Sequence, residues 1–138
     1  MEDKIILLDL NQTLASKINM DLKDFTYDVS QDEYRQDLVA AIKNKRIFLI
    51  TARTSDYEQE TIEKIKNDTG LEIERFYFKP ISMKYKKVSQ FKKEVTLALF
   101  EEGFKPEDFF GIESNSETRE NYASIGVKSC PYADYMKR

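Results

Sequence analysis

The sequence predicts an α/β domain built on a mainly parallel, five-stranded sheet. Five short apolar stretches have strand character, and most are near-continuous rather than alternating, as strands covered on both faces are. Segments with helical spacing separate them, the order that produces parallel strands joined by crossovers. Polar residues gather just after the strands, where ligands bind in such sheets.

The first strand is KIILLDL at 4–10. Residues 16–29 are the longest irregular stretch and read as a loop or flap over the site. SQDEYRQDLVAAIKNK begins with Ser30 as a cap and sets Tyr34, Leu38 and Ile42 at helical spacing. RIFLIT at 46–51 is the second strand, followed by a helix that starts at Thr54 or Ser55 and stops at Gly70. EIERFYF at 72–78 is the third strand. The helix after it carries Val88, Phe91, Val95 and Leu99 and stops at Gly103. DFFGIE at 108–113, a short helix in ETRENYASIG and a last strand, VKSC at 127–130, complete the pattern.

With 138 residues the chain buries one core, so a single domain over 1–138 is expected, with a flap-sized insertion at about 14–30. Its 22 basic and 25 acidic residues nearly cancel, so any phosphate-binding basic patch has to be local. The opening MEDKIILLDL lacks the basic start and cleavage site of a signal peptide, and no apolar run approaches bilayer length. Cys130 is the lone cysteine, which rules out an intrachain disulfide and fits a reducing, cytoplasmic setting. The chain has no histidine, so acid–base work falls to carboxylates, Lys, Tyr or bound water.

The strand ends outline a phosphate site. Asp9, Asn11 and Thr13 follow the first strand, and Thr51 and Arg53 the second. Lys84, Lys86 and Lys87 follow the third, and Glu113, Ser114 and Asn115 the fourth. A carboxylate attacks phosphorus or holds a metal, hydroxyls and lysines take phosphate oxygens, and a second carboxylate shares the cation. Each residue also has a plainer reading: Asp, Asn and Thr favour turns, Arg53 suits a surface ion pair, and the lysines at 84, 86, 87, 92 and 93 suit a solvated helix face. A receiver domain also places Asp, Thr and Lys at parallel strand ends, but here the acceptor lies on the first strand and is followed at once by x-Asn-x-Thr.

DLNQT at 9–13, the strand ending at Thr51, a following lysine and GIES at 111–114 resemble, in order and spacing, the four motifs of the haloacid dehalogenase superfamily of phosphatases. Within it, TAR at 51–53 and YKKVSQFKKEV at 85–95 are similar to the phosphatase domains of bacteriophage-type polynucleotide kinase/phosphatases. The resemblance implies a Rossmann-like three-layer sandwich without a cap domain, and an open site. It implies phosphomonoester hydrolysis through an aspartyl-phosphate on Asp9, with Thr51 binding the phosphoryl group and Lys87, or Lys84 or Lys86, neutralising charge. Thr13, Arg53, Lys84 and Lys86 would contact substrate, and Mg²⁺ would sit on Asp9, the Asn11 carbonyl and Glu113. The implied partner is a phosphorylated small molecule or a nucleic-acid end, including nucleotides and 3′-phosphates, with no membrane.

Two positions depart from the family pattern. Glu113 and Ser114 stand where two Asp are usual, and Asn11 stands where the family has the Asp that protonates the leaving oxygen and later activates water. General acid–base help is worth roughly 10²–10⁴-fold, so activity should be weakened or lost. Three origins of the amide are open at this level. The protein is a silenced phosphatase fold that binds a phosphorylated ligand, nucleic acid or protein; Asp56, Glu58 or Glu117 supplies the proton; or the Asp-to-Asn exchange is an introduced one.

Overall fold

Alternation along the first strand sets the architecture. In the computed structural model, which describes residues 3–138, Ile6, Leu8 and Leu10 face one core cluster and Ile5 and Leu7 face another. Both faces of this strand are therefore covered, as its apolar run requires.

In chain order the strands are β1 (Ile5–Leu8), β2 (Ala15–Lys17), β3 (Met20–Asp21), β4 (Thr26–Tyr27), β5 (Glu33–Tyr34), β6 (Arg46–Thr54), β7 (Arg75–Lys79), β8 (Phe109–Ile112) and β9 (Lys128–Cys130). The helices are α1 (Gln36–Ile42), α2 (Glu58–Thr69), α3 (Val88–Glu101), α4 (Ser116–Ser124) and α5 (Tyr132–Met136). The main sheet has the order β7-β6-β1-β8-β9, and every pairing in it is parallel. Leu38, Val39 and Ile42 of α1, Ile65 of α2 and Tyr135 of α5 cover the face of Leu8. Phe91 and Leu99 of α3 and Tyr122 of α4 cover the face of Leu7. This is the Rossmann-like, three-layer α/β sandwich. Its strand order reverses at β1, so the carboxyl ends of β1 and its neighbours form the crevice where such sheets bind ligands.

No cap domain is inserted among the described residues. After β1 the chain makes two small antiparallel pairs, β2 with β5 and β3 with β4, which form the flap. The helix expected from Ser30 begins only at Gln36, because Asp28 accepts from both the Ser30 amide and hydroxyl in a separate turn and Glu33–Tyr34 pair with β2 instead. The helix ending before Gly70 keeps its predicted stop, with Gly70 in the left-handed region at φ 68°. The short α5, which follows Pro131, was not anticipated; it sets Tyr132, Tyr135 and Met136 on the first core cluster. No helix among the described residues is long and apolar enough to cross a membrane.

Gly111 lies in the middle of β8, beneath α4. A Cβ there would stand 3.0 Å from the Ser129 Cβ and 3.2 Å from the Tyr122 ring. Gly111→Ala is expected to destabilise the protein by about 1–3 kcal/mol through overpacking, read as a lower urea midpoint at unchanged slope.

Candidate active site

Strand parity that builds the core also builds the site. One residue beyond β1, Asp9 continues the series Ile5 and Leu7 and so points toward α3 and α4. One residue beyond β8, Glu113 continues Phe109 and Gly111 and points the same way, and the pairing Leu8 with Ile112 sets the two carboxylates on adjacent strands at one level. From α3, Lys92 reaches both: its Nζ donates to Asp9 Oδ1 at 2.8 Å and to Glu113 Oε1 at 2.7 Å. All three side chains are buried, at 7% exposure or less.

The turn after β1 holds the other carboxylate oxygen. Gln12 takes a left-handed φ of 66°, which lets the chain fold back so that Thr13 Oγ1 donates to Asp9 Oδ2 at 2.8 Å. Ser114 Oγ donates to the same oxygen at 2.9 Å. Burial works against ionisation of Asp9, but the Lys92 charge and these hydrogen bonds outweigh it and hold its carboxyl below the usual range. The charges of Asp9 and Glu113 hold Lys92 firmly protonated despite its burial. Glu113 is pushed up to about 7, chiefly by burial, with Asp9's charge adding to the effect and Lys92 opposing it. Asp9 is thus the ionised carboxylate, oriented through both oxygens, as a nucleophile or cation ligand has to be.

The lysine in contact with Asp9 is not one of those favoured from sequence. Lys87 is exposed and pairs with Glu117 at 3.0 Å, and Lys86 pairs with Glu94 at 2.7 Å. Lys84 stands at the rim with its ammonium 5.9 Å from the Tyr85 ring. All three precede or open α3, one to two turns before the position from which a side chain meets Asp9. A signal for Lys92 is present: it lies four residues after Val88, three before Val95 and seven before Leu99, on the buried stripe of α3 rather than its solvated face.

Arg53 is also placed differently from expectation. It is fully buried and makes a two-pronged pair with Asp32, at 2.7 and 3.0 Å, so its guanidinium is engaged inside the protein rather than presented to a substrate. Its Nε donates to Asn11 Oδ1 at 3.1 Å, and its guanidinium lies 4.7 Å from the centre of the Tyr27 ring. Asn11 Nδ2 in turn donates to the Tyr27 hydroxyl at 3.3 Å. Both ends of the carboxamide are therefore held by the Arg53–Tyr27 frame. Thr51 is buried within β6, and its Oγ1 accepts from the Arg53 amide at 3.1 Å. Among the acids considered as substitutes, Glu117 is Lys87's partner, Asp56 accepts from Thr54, and Glu58 opens α2; none contacts Asp9 or Asn11.

The donor set suits a hard cation in part. Asp9 Oδ2 and the Asn11 carbonyl both accept from the Ser114 hydroxyl, at 2.9 and 3.4 Å, so two oxygens of the kind Mg²⁺ takes converge there. Glu113, in contrast, has one oxygen on Lys92 and the other on the Asn115 amide at 3.1 Å, which makes it the lysine's counter-ion in this arrangement.

Outside this centre a cleft of about 360 Å³ runs from Asn11 between the flap and the 80–87 segment, lined by Phe25, Tyr27, Lys79, Lys84 and Tyr85 among others. Lys79 was not singled out from the sequence. It is buried at the end of β7 and donates to the carbonyls of Lys84 and Lys86.

No protein-family model and no curated protein matches the chain. Solved structures do. A chain of the Pnkp1/Rnl/Hen1 RNA repair complex superposes with a TM-score of 0.69 at 18% identity, over 94% of this chain and 42% of that one, so the present chain spans less than half of that protein. A HAD family enzyme of Bacteroides thetaiotaomicron, solved with magnesium and inorganic phosphate, gives 0.61 at 16% identity and covers 94% of each chain. A hypothetical protein of Xanthomonas campestris gives 0.51 at 19% identity, over 91% of this chain and 63% of that one. The chain has the haloacid dehalogenase fold in a form without a cap.

Asp32 supplies the counter-charge for a fully buried guanidinium. Asp32→Ala is expected to cost about 3–5 kcal/mol, the typical loss when one partner of a buried ion pair is removed, measured by urea unfolding.

Proposed function

We propose that this chain is a phosphatase of the haloacid dehalogenase type that works through an aspartyl-phosphate on Asp9, acting on phosphorylated nucleotides or nucleic-acid ends. The observation that carries this reading is the Lys92 ammonium bridging Asp9 and Glu113 at the switch point of the sheet. Asp9 is kept ionised and aimed by Lys92, Thr13 and Ser114, so it is ready to attack phosphorus. Lys92 then offsets charge as it develops between Asp9 and the phosphoryl oxygens. Thr51, at the neighbouring strand, supplies a hydroxyl for the transferring group. Asp9 and the Asn11 carbonyl would hold Mg²⁺, which supplies electrostatic stabilisation of the phosphate charge when bound. The neighbour in an RNA repair complex and the one solved with magnesium and phosphate support the same reading.

A second reading is a binding module that holds a phosphorylated ligand without turnover. It is favoured by the Asn11 carboxamide, which is tied to Arg53 and Tyr27 and supplies no proton.

Phosphate release from p-nitrophenyl phosphate and a 3′-phosphorylated oligonucleotide, with and without Mg²⁺, separates the two. Release that depends on Mg²⁺ and disappears in Asp9→Asn is the expected result; a folded protein that binds these phosphates and releases none supports the binding module. In the same assay Lys92→Ala is expected to lose at least about 10²-fold in rate, whereas Lys87→Ala, whose ammonium meets only Glu117, stays within a few-fold of the parent.

A further inference from the structure

We infer that the phosphoryl group this site takes best is the terminal one of a nucleoside di- or triphosphate, a phosphoanhydride rather than an ester of a sugar hydroxyl. The inference rests on the reading of Asp9 as nucleophile and narrows its substrate class. Two independent observations carry it: the proton inventory at Asp9 and the lining of the cleft.

The side chains touching Asp9 are Lys92, Thr13 and Ser114. Lys92 is committed to two carboxylates, and hydroxyls are weak acids. Asn11 has no acidic proton, its amide is fixed by Arg53 and Tyr27, and both oxygens of Glu113 accept from Lys92 and Asn115. An alkoxide leaving from such a site needs a proton that none of these groups is placed to give. A phosphoanhydride does not. An Asp9 oxygen forms a bond to the terminal phosphorus while the bond from that phosphorus to the bridging oxygen breaks. The electron pair stays on the bridging oxygen, which becomes the terminal phosphate oxygen of the departing nucleotide; its conjugate acid ionises near about pH 6, so it leaves unprotonated at neutral pH. Water then attacks the aspartyl-phosphate at phosphorus. The carboxylate is restored, and the protons of water pass to orthophosphate and solvent. Glu113, the carboxylate beside Asp9, has both oxygens engaged by Lys92 and the Asn115 amide and is not free to take a proton from the attacking water, so this second step is slow and the phosphoprotein accumulates.

The cleft matches the leaving group. Lys79 is buried in its lining and pairs with no carboxylate among the described residues; carbonyl oxygens alone hold its ammonium. Lys84 stands at the same wall, also without a carboxylate partner among the described residues. In the same lining, Tyr85 is 81% exposed and meets Phe25 of the flap edge-on at 6.0 Å, giving a nucleobase an aromatic face. One lining thus joins Asn11, two lysines without carboxylate partners among the described residues, and aromatic rings, the groups that the phosphates and the base of a nucleoside polyphosphate call for.

The test uses a nucleoside triphosphate labelled on its terminal phosphate, a nucleoside monophosphate and a 3′-phosphorylated oligonucleotide, each with Mg²⁺. The triphosphate is expected to release close to one nucleoside diphosphate per protein in a burst, leaving label on the protein that hydroxylamine removes and that Asp9→Asn lacks. The two ester substrates are expected to react at least about 10²-fold more slowly, and Asn11→Asp to speed them more than the triphosphate. Tyr85→Ala is expected to raise the triphosphate concentration needed for half-maximal burst about 10-fold. If the oligonucleotide reacts as fast as the triphosphate, in an Asp9-dependent way, the inference is overturned while the nucleophile stands. If no substrate labels the folded protein or releases phosphate, both fall.

Discussion

Lys92 is the group on which the site depends. Two carboxylates side by side on adjacent strands, both buried, would repel each other and one would take a proton. The ammonium between them removes that conflict, and it does so unequally. Asp9 has hydroxyls from Thr13 and Ser114 as well, so it holds its charge, whereas Glu113 is pushed up to about 7. The asymmetry separates the roles: Asp9 is the charged, aimed oxygen pair, and Glu113 is the anchor that fixes where the ammonium sits.

The second buried ion pair acts on the flap. Asp32 lies between the flap hairpin and α1, Arg53 at the far end of β6, and their contact ties the segment after β1 to the sheet. Asn11 and Tyr27 are held on the same guanidinium, one by a hydrogen bond and the other by its ring face. An arginine at this place in the chain is therefore structural here. Its charge is spent on Asp32, and what it gives the active site is a fixed amide at residue 11.

The main sheet was legible because its central strands β1, β6 and β8, largely buried, announce themselves as near-continuous apolar runs, and the strands beside them lie where the helix-strand alternation requires. Asp9 and Glu113 were legible as candidates for the same reason, since a polar residue just past such a run sits at the carboxyl end of the strand; Thr13 and Thr51 followed from their spacing to it. Lys92 was hidden among neighbours: in FKKEV it looks like one more surface lysine, and only its phase against Val88, Val95 and Leu99 marks it as buried. Parity completes that argument, because Asp9 and Glu113 both face the helices of the second cluster. The partnership of Arg53 with Asp32 had no comparable signal. Asp32 falls in the first turn of the helix expected from Ser30, where an acid needs no partner, 21 residues away from Arg53, and nothing local to either residue specifies the other. The flap's short pairs were lost in the same way, since two-residue strands carry no pattern.

Charge placement explains how one small site serves opposite demands. The formal net charge is −3, so the chain as a whole does not draw polyanions toward it. Around Asp9 the Lys92 ammonium faces one firmly ionised carboxylate and Glu113, which burial pushes up to about 7, so the local count is close to balance. Arg53 adds nothing to the field because Asp32 cancels it. Among the described residues, positive charge without a carboxylate partner lines the cleft at Lys79 and Lys84, where carbonyl oxygens and an aromatic ring are the neighbours. The low polarity around buried Lys79 makes its charge count for more than an exposed lysine's would. A charge placed this way acts at short range, within the cleft, rather than over the surface as a whole.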